Sequence, residues 1–301
     1  MARHRITLLL PFLLLLLAGC GSKPELSPKA RFQMGLEAEM AFQDGQYETA
    51  AERFGTLYVL SGKRLHYAVE AAASYAMAGE TGQAVRFLHR AINAGYHDLD
   101  ELETRSDFDT LKSTLEWNGI VSAVMENQKL YRQRINPQLY SLFMADQADR
   151  TNIDWDNLTQ DQIKAWVQRD RQRLMATDSL LAADSSRLTS DDFFHAAIIF
   201  QHGPDSTWYQ RSNVLCQRAL ELNPDNEDAS WLYAASMDRY LQSVGKPQIY
   251  GTQKWLRDGV WTLEPFDTSA VTDDERIDHH VPPLDYIRAQ VAKRNQHTEK
   301  K

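Results

Sequence analysis

The residues able to do chemistry gather in the C-terminal half of the chain. Gly245-Lys246-Pro247-Gln248-Ile249-Tyr250-Gly251-Thr252-Gln253 is its most unusual stretch. Glycines and a proline shape a non-regular loop there. Lys246, Gln248, Tyr250, Thr252 and Gln253 can all donate hydrogen bonds from it. Asp146, Arg150, His195, Gln201, His202, Asp238 and Arg239 can converge on the loop if the surrounding helices form a bundle. Three readings of this set are open. Amides beside one lysine suit a polar or anionic small molecule, or a peptide terminus. A histidine with an aspartate partner suits general-base work. The third is structural: Asp238–Arg239 and Asp146–Arg150 form buried ion pairs that order the loop, while Gln and Tyr satisfy loose backbone groups.

Other chemistries lack their signatures. No nucleophile elbow, zinc-protease helix, phosphate loop or dinucleotide fingerprint occurs in the sequence. His195 and His202 share a helical face but lie roughly 10 Å apart along the axis, too far to ligate one metal without a bend. Adjacent His279 and His280 on an extended segment point to opposite sides. Residues 271–283 are therefore expected to be an exposed loop and not a metal site. The acidic stretch Asp98–Asp109 lacks the glycine and spacing of a calcium loop and reads as solvated. No metal or cofactor is expected.

The elements that position these residues are helices. Asn136-Pro137 marks a break, after which Thr159 and Gln162 form a capping box. The helix it opens carries Ile163, Trp166, Val167 and Leu174 on one face. Thr189, Ser190, Asp191 and Asp192 start another helix, which Gly203-Pro204 ends. Helices follow over 208–222, 229–241 and 284–291, and residues 295–301 form a polar tail.

The net charge of −8 over 301 residues gives no basic footprint for nucleic acid. That length accommodates two compact domains. The chain begins with Arg3, His4 and Arg5, followed by an apolar run, Ile6–Leu17. About a dozen residues fall short of the roughly 20 needed to span a bilayer, and the run suits a signal peptide. Leu17-Ala18-Gly19-Cys20 follows and closely resembles the bacterial lipoprotein signal. That resemblance implies removal of residues 1–19, lipidation of Cys20, and a tether over 20–30. No aspartate adjoins Cys20, which implies sorting to the outer membrane, facing the periplasm. Loss of Arg3 and Arg5 takes the charge from −8 to about −10, so acyl chains, not surface charge, would hold the membrane. With Cys20 lipidated, Cys216 has no disulfide partner.

Residues 31–64 and 65–98 repeat at an offset of 34: Gly45 and Gly79, Ala50 and Ala84, Phe54 and Leu88, Leu57 and Ala91. The period resembles the tetratricopeptide repeat, a helix-turn-helix unit. Residues 99–134 would cap the pair through Leu111, Leu115, Ile120, Val121, Val124 and Leu130, giving a repeat-plus-cap domain over 31–134. Such arrays bind peptides or proteins on a concave face, an inference from fold analogy; the repeats could also serve as a spacer.

Asp146-Gln147-x-x-Arg150, His195–Gly203, Asp238-Arg239-Tyr240 and the 245–253 motif together resemble an uncharacterised bacterial domain family over roughly residues 127–290. The family brings no established activity. The expectation is therefore an all-α protein: tetratricopeptide-like helical hairpins, then a mostly helical domain over 135–294. Its expected role is that of a membrane-anchored lipoprotein, a protein-binding or scaffold module of the bacterial cell envelope whose partner is an unknown envelope protein or peptide. The alternative is an envelope enzyme or small-ligand sensor using the polar site around 245–253.

Overall fold

Ser27 opens the first helix by accepting from the Ala30 N–H, and Pro28 sits where a missing N–H costs nothing. The computed structural model describes residues 26–62, 64–151, 158–183 and 185–298. The expected leader, Cys20 and most of the tether lie outside the described residues. The described chain is all-α, 73% helical with 14 α-helices. None of its helices is long and apolar enough to cross a membrane.

The first four helices are α1 (Pro28–Gln43), α2 (Tyr47–Leu60), α3 (Leu65–Met77) and α4 (Thr81–Asn93). They form two stacked hairpins. Gly45 and Gly79 take left-handed φ angles of 74° and 78° at the two reversals, a conformation only glycine adopts without cost. Ala50 and Ala84 are fully buried where the helices meet, and Phe54, Leu57, Leu88 and Ala91 fill the space between them. The 34-residue offset is thus a packing repeat.

The acidic stretch expected as a solvated loop is instead helix α5 (Leu99–Thr104). Asp98 caps it by accepting from the Glu101 N–H at 2.8 Å, and acids in its first turn favour that end. Arg105 then gathers Glu70, Asp107 and Glu101 at 2.7, 2.7 and 3.2 Å. A 3-10 turn (Ser106–Phe108), α6 (Asp109–Lys112) and α7 (Trp117–Arg134) complete the cap. Leu111, Ile120 and Val124 join the hairpin core. Leu115 does not: it sits in the turn before α7, 97% exposed, and Leu130 lies on the outer face of α7.

The second half comprises α8 (Pro137–Thr151), α9 (Gln160–Ala183), α10 (Ser190–Gln201), α11 (Ser206–Leu222) and α12 (Glu227–Ser243). The Thr159–Gln162 and Thr189–Asp192 capping boxes both form. On α9, Leu174 is buried but Val167 faces solvent, because α9 packs through one narrow stripe. Helices α10–α12 enclose Phe193, Phe200, Cys216, Ala219 and Leu232.

The C-terminal segment adds one short β-hairpin to the mostly helical domain. Trp255–Arg257 (β1) and Val260–Thr262 (β2) form an antiparallel hairpin pairing Trp255 with Thr262. Its turn is Asp258-Gly259, with φ angles of 50° and 78°, the mirror-image turn that matches strand twist. The expected loop 271–283 holds α13 (Asp273–Asp278), started by a Thr272–Glu275 capping box, and buries Arg276, Ile277 and Val281. Helix α14 (Leu284–Thr298) runs through the expected polar tail as far as Thr298. Asn295 holds it there: its side chain accepts from the Trp261 N–H at 2.7 Å and donates to the Trp261 carbonyl at 3.0 Å.

The two ends of the described chain meet. Arg31 on α1 pairs with Asp278 of α13 at 3.0 Å, and Phe32 packs edge-on against Tyr286 of α14. Arg64, just before α3, reaches Glu227 at 3.2 Å and His280 at 3.3 Å.

Between α10 and α11, a Cβ at Gly203 would lie 2.3 Å from the Trp208 Cβ. Gly203→Ala is expected to destabilise the protein by about 3 kcal/mol through overpacking. Gly82→Ala, in open space on α4, is expected to be neutral or slightly stabilising. Equilibrium urea unfolding of the two variants checks the contrast.

Candidate functional site

The 245–253 loop follows α12, and Asp238 on that helix organises it. The carboxylate is fully buried. It accepts from the N–H groups of Ile249, Tyr250 and Thr252 at 2.8, 2.9 and 2.9 Å, and from the Thr252 hydroxyl at 2.8 Å. From the other side Arg276 donates to the carbonyls of Ile249 and Tyr250 at 3.0 and 3.2 Å. Gln248 is equally buried: its amide donates to the carbonyls of Gln253 and Leu263 and accepts from the Gln253 N–H. Gln253 in turn donates to the Thr252 hydroxyl at 3.0 Å. The Tyr250 phenol is pushed up to about 12 by burial.

These contacts correct the picture of a donor-lined loop. Gln248, Thr252 and Gln253 spend their polar groups on the loop itself, and Tyr250 joins the core under it. Lys246 alone projects into solvent, while its backbone N–H closes the end of α12 on the Leu241 carbonyl. The expected Asp238–Arg239 ion pair does not form, because neighbours on a helix point to different sides. Arg239 instead donates to the Gln201 carbonyl at 2.9 Å and lies over the Tyr209 ring.

A second cluster gathers the remaining polar residues from α8, α9, α10 and α12. The expected Asp146–Arg150 pair forms at 2.8 Å, with Asp146 buried. Arg150 also reaches Asp170 at 3.0 Å, and Arg173 ties Asp170 to Asp149. His202, at the end of α10, places Nδ1 3.1 Å from the Asp146 carboxylate. Burial holds the imidazole below its ordinary value; Asp146 pulls it back up, and Arg150 and Arg239 push it down. Burial also lowers the Arg239 guanidinium.

His195 stands apart from both groups. It stacks on Phe143, faces Tyr140 edge-on, and lies 3.3 Å from the Tyr131 hydroxyl. This aromatic seat joins α7 of the cap to α8 and α10. Among the described residues no cluster of three or more His, Cys, Asp or Glu side chains could hold a metal ion.

Sequence reasoning missed a cleft of about 400 Å³ where the ends of the described chain meet. Arg31, Phe32, Arg64, His66 and Tyr67 line it from the hairpins; Glu227, His280 and Tyr286 line it from the second half. Burial, with Arg64 and Arg31 nearby, lowers His280 to about 4. No local pattern signals such a cleft, since its walls lie some 200 residues apart in sequence.

Asp238→Ala leaves three buried N–H groups without an acceptor and is expected to cost about 3 kcal/mol or more. Lys246→Ala should leave stability unchanged within about 0.5 kcal/mol; denaturant titration of both variants tests the inward-facing loop. A pH prediction follows from His195, which burial lowers to about 4. Between its unfolded value near 6.5 and about 4 the unfolded chain binds the extra proton, so stability falls as pH falls through that window. The contribution is about 3 kcal/mol. His195→Gln is expected to reduce the pH dependence of the unfolding free energy across the window, leaving the share of His280, which burial shifts the same way.

The second cluster, the motif loop and one wall of the cleft all fall within the segment matched by a single family model. No curated protein matches the chain. The profile of a family of unknown function, DUF6624, matches residues 133–293, more than half of the sequence, and the chain belongs to that family.

Proposed function

We propose that the protein is a lipid-anchored binding or scaffold module of the bacterial cell envelope. In this reading residues 1–19 are a signal peptide, Cys20 carries the lipid, and the protein faces the periplasm from the outer membrane. The N-terminal hairpins are tetratricopeptide-like and serve to hold a protein or peptide partner. The cleft carries the reading. Its volume of about 400 Å³ lies within the range of ligand pockets, roughly 300–1,000 Å³. Charged groups of both signs line it beside Phe32, Tyr67 and Tyr286, a lining suited to an extended polar segment of a partner with one or two aromatic or aliphatic anchors. The family domain supplies one wall and the hairpins the other, so neither half offers the site alone.

The alternative, an envelope enzyme or small-ligand sensor, draws support from His202 and Asp146 rather than from the 245–253 loop. A buried carboxylate on Nδ1 is the arrangement that orients a histidine as a general base.

In-cell crosslinking and affinity purification of the lipidated protein test the first reading. A defined envelope protein should be captured by the wild type and by Lys246→Ala, and lost from a His66→Ala/Tyr67→Ala double variant with unchanged circular dichroism. Equal capture by the double variant, or capture by none, would count against the cleft. Cys20→Ala should abolish incorporation of a labelled fatty acid and move the protein out of the membrane fraction.

A further inference from the structure

The ion-pair lattice between α8 and α9 is balanced. Asp146, Asp149 and Asp170 face Arg150, Arg169 and Arg173, and each member has an opposite charge within hydrogen-bonding range. Arg239 on α12 adds a further cation beside it. A guanidinium carries five N–H donors, yet among the described residues Arg239 has one donor contact, to the Gln201 carbonyl, and one ring contact, to Tyr209. No carboxylate reaches it among the described residues. A cation withdrawn from water without a counter-charge is costly, and an anion from solution relieves that cost.

His202 follows Gln201 directly at the end of α10, so it sits beside the carbonyl that Arg239 holds. Asp146 holds its Nδ1, which leaves Nε2 for a ligand, and the ring lies within electrostatic reach of Arg150 and Arg239. The side chain of His202 is 22% exposed, so the site opens to solvent.

We infer that Arg239, His202 and Tyr209 form a binding site for a single carboxylate, with Asp146 and Arg150 fixing the geometry of His202. Arg239 is the member of this cluster without a counter-charge among the described residues, and a carboxylate supplies one. The planar fork of the arginine matches a carboxylate in two-point contact. The Tyr209 ring offers an apolar surface to whatever the carboxylate is attached to. This site lies in the family domain and is independent of the cleft.

The inference predicts coupling to protons. With Nδ1 donating to Asp146, neutral His202 presents an unprotonated Nε2, which cannot donate to an anion. A bound carboxylate therefore favours the protonated ring. The charged groups facing His202 are Asp146, Arg150 and Arg239; the ligand adds a second anion to that set. Affinity should rise as pH falls through the titration of His202.

The test is a titration of the full chain in detergent, with labelled histidines followed by NMR and the His202 signal assigned by its loss in His202→Gln. The probes are acetate, N-acetylalanine and the amide of N-acetylalanine. Both acids, or one of them, should move the His202 signal saturably and raise its pKa, and the amide should not. Acetate alone would point to a free small acid, N-acetylalanine alone to a peptide terminus. Arg239→Gln should abolish saturation and raise the pKa of unliganded His202 by removing a neighbouring cation. Arg239→Lys keeps the charge but not the fork and should bind about tenfold more weakly; it decides the matter if Arg239→Gln does not fold. No response to either acid, an equal response to the amide, or full binding by Arg239→Lys would overturn the site.

Discussion

Asp238 and Arg276 grip the same short run of backbone from opposite sides, and much of the C-terminal half depends on that grip. Ile249, Tyr250 and Thr252 have no helix or strand partner for their N–H groups, and buried backbone groups left unpaired are costly. The carboxylate takes the N–H groups and the guanidinium takes the carbonyls. Gly251 lets the run pass close to Ile287 and Phe266, where a Cβ would be crowded at 3.3 and 3.4 Å. Because Arg276 belongs to α13, the loop also fixes that helix. Asp278 and His280 follow within four residues and meet α1 and the start of α3. A single buried ion pair by proxy, with backbone between its members, thus links the motif to the docking of the hairpins.

The junction between the cap and the family domain is built differently. There the His195 aromatic seat and Asp192 do the joining. Asp192 completes the cap of α10 and also accepts from the Asn136 N–H at 2.6 Å, which fixes the break between the halves. Asn127 on α7 donates to the carbonyls of Ile92 and Tyr96 at 2.8 and 3.0 Å, tying the cap to α4. The hairpins are therefore held at both ends by the family domain, through charge at one and through aromatic packing at the other.

Helices and their ends were legible in the sequence because their signals are local. The 34-residue offset, the capping boxes at Thr159 and Thr189, and the stop at Gly203-Pro204 all rest on residues within a few turns of each other. Even the hairpin had its signal: Asp258-Gly259 sits between Trp255-Leu256-Arg257 and Val260-Trp261-Thr262, a turn pair flanked by strand formers. Thr272 and Glu275 likewise have capping-box spacing and announce α13. What the sequence could not disclose was direction. Asp238 and Arg239 are adjacent letters, yet one serves the loop and the other faces α10 and α11. Whether Gln248 and Gln253 face a ligand or each other is likewise decided by tertiary packing. The cleft was hidden for the same reason, since neither wall exists without the other.

The meeting of α1 with α13 and α14 favours an order of assembly. Arg31 and Asp278 are separated by 247 positions, and closing so long a loop costs less entropy once what lies between has compacted. The hairpins, whose contacts are short in sequence, can stack on their own core first. During that interval the face bearing Arg31, Phe32 and Arg64 is without its covering, and it stays so until the last helices have been made and seated. A chain interrupted before residue 270 would keep that face bare for its whole lifetime, and the surface then on offer to chaperones or to neighbouring copies would be the one that the finished protein narrows to a cleft.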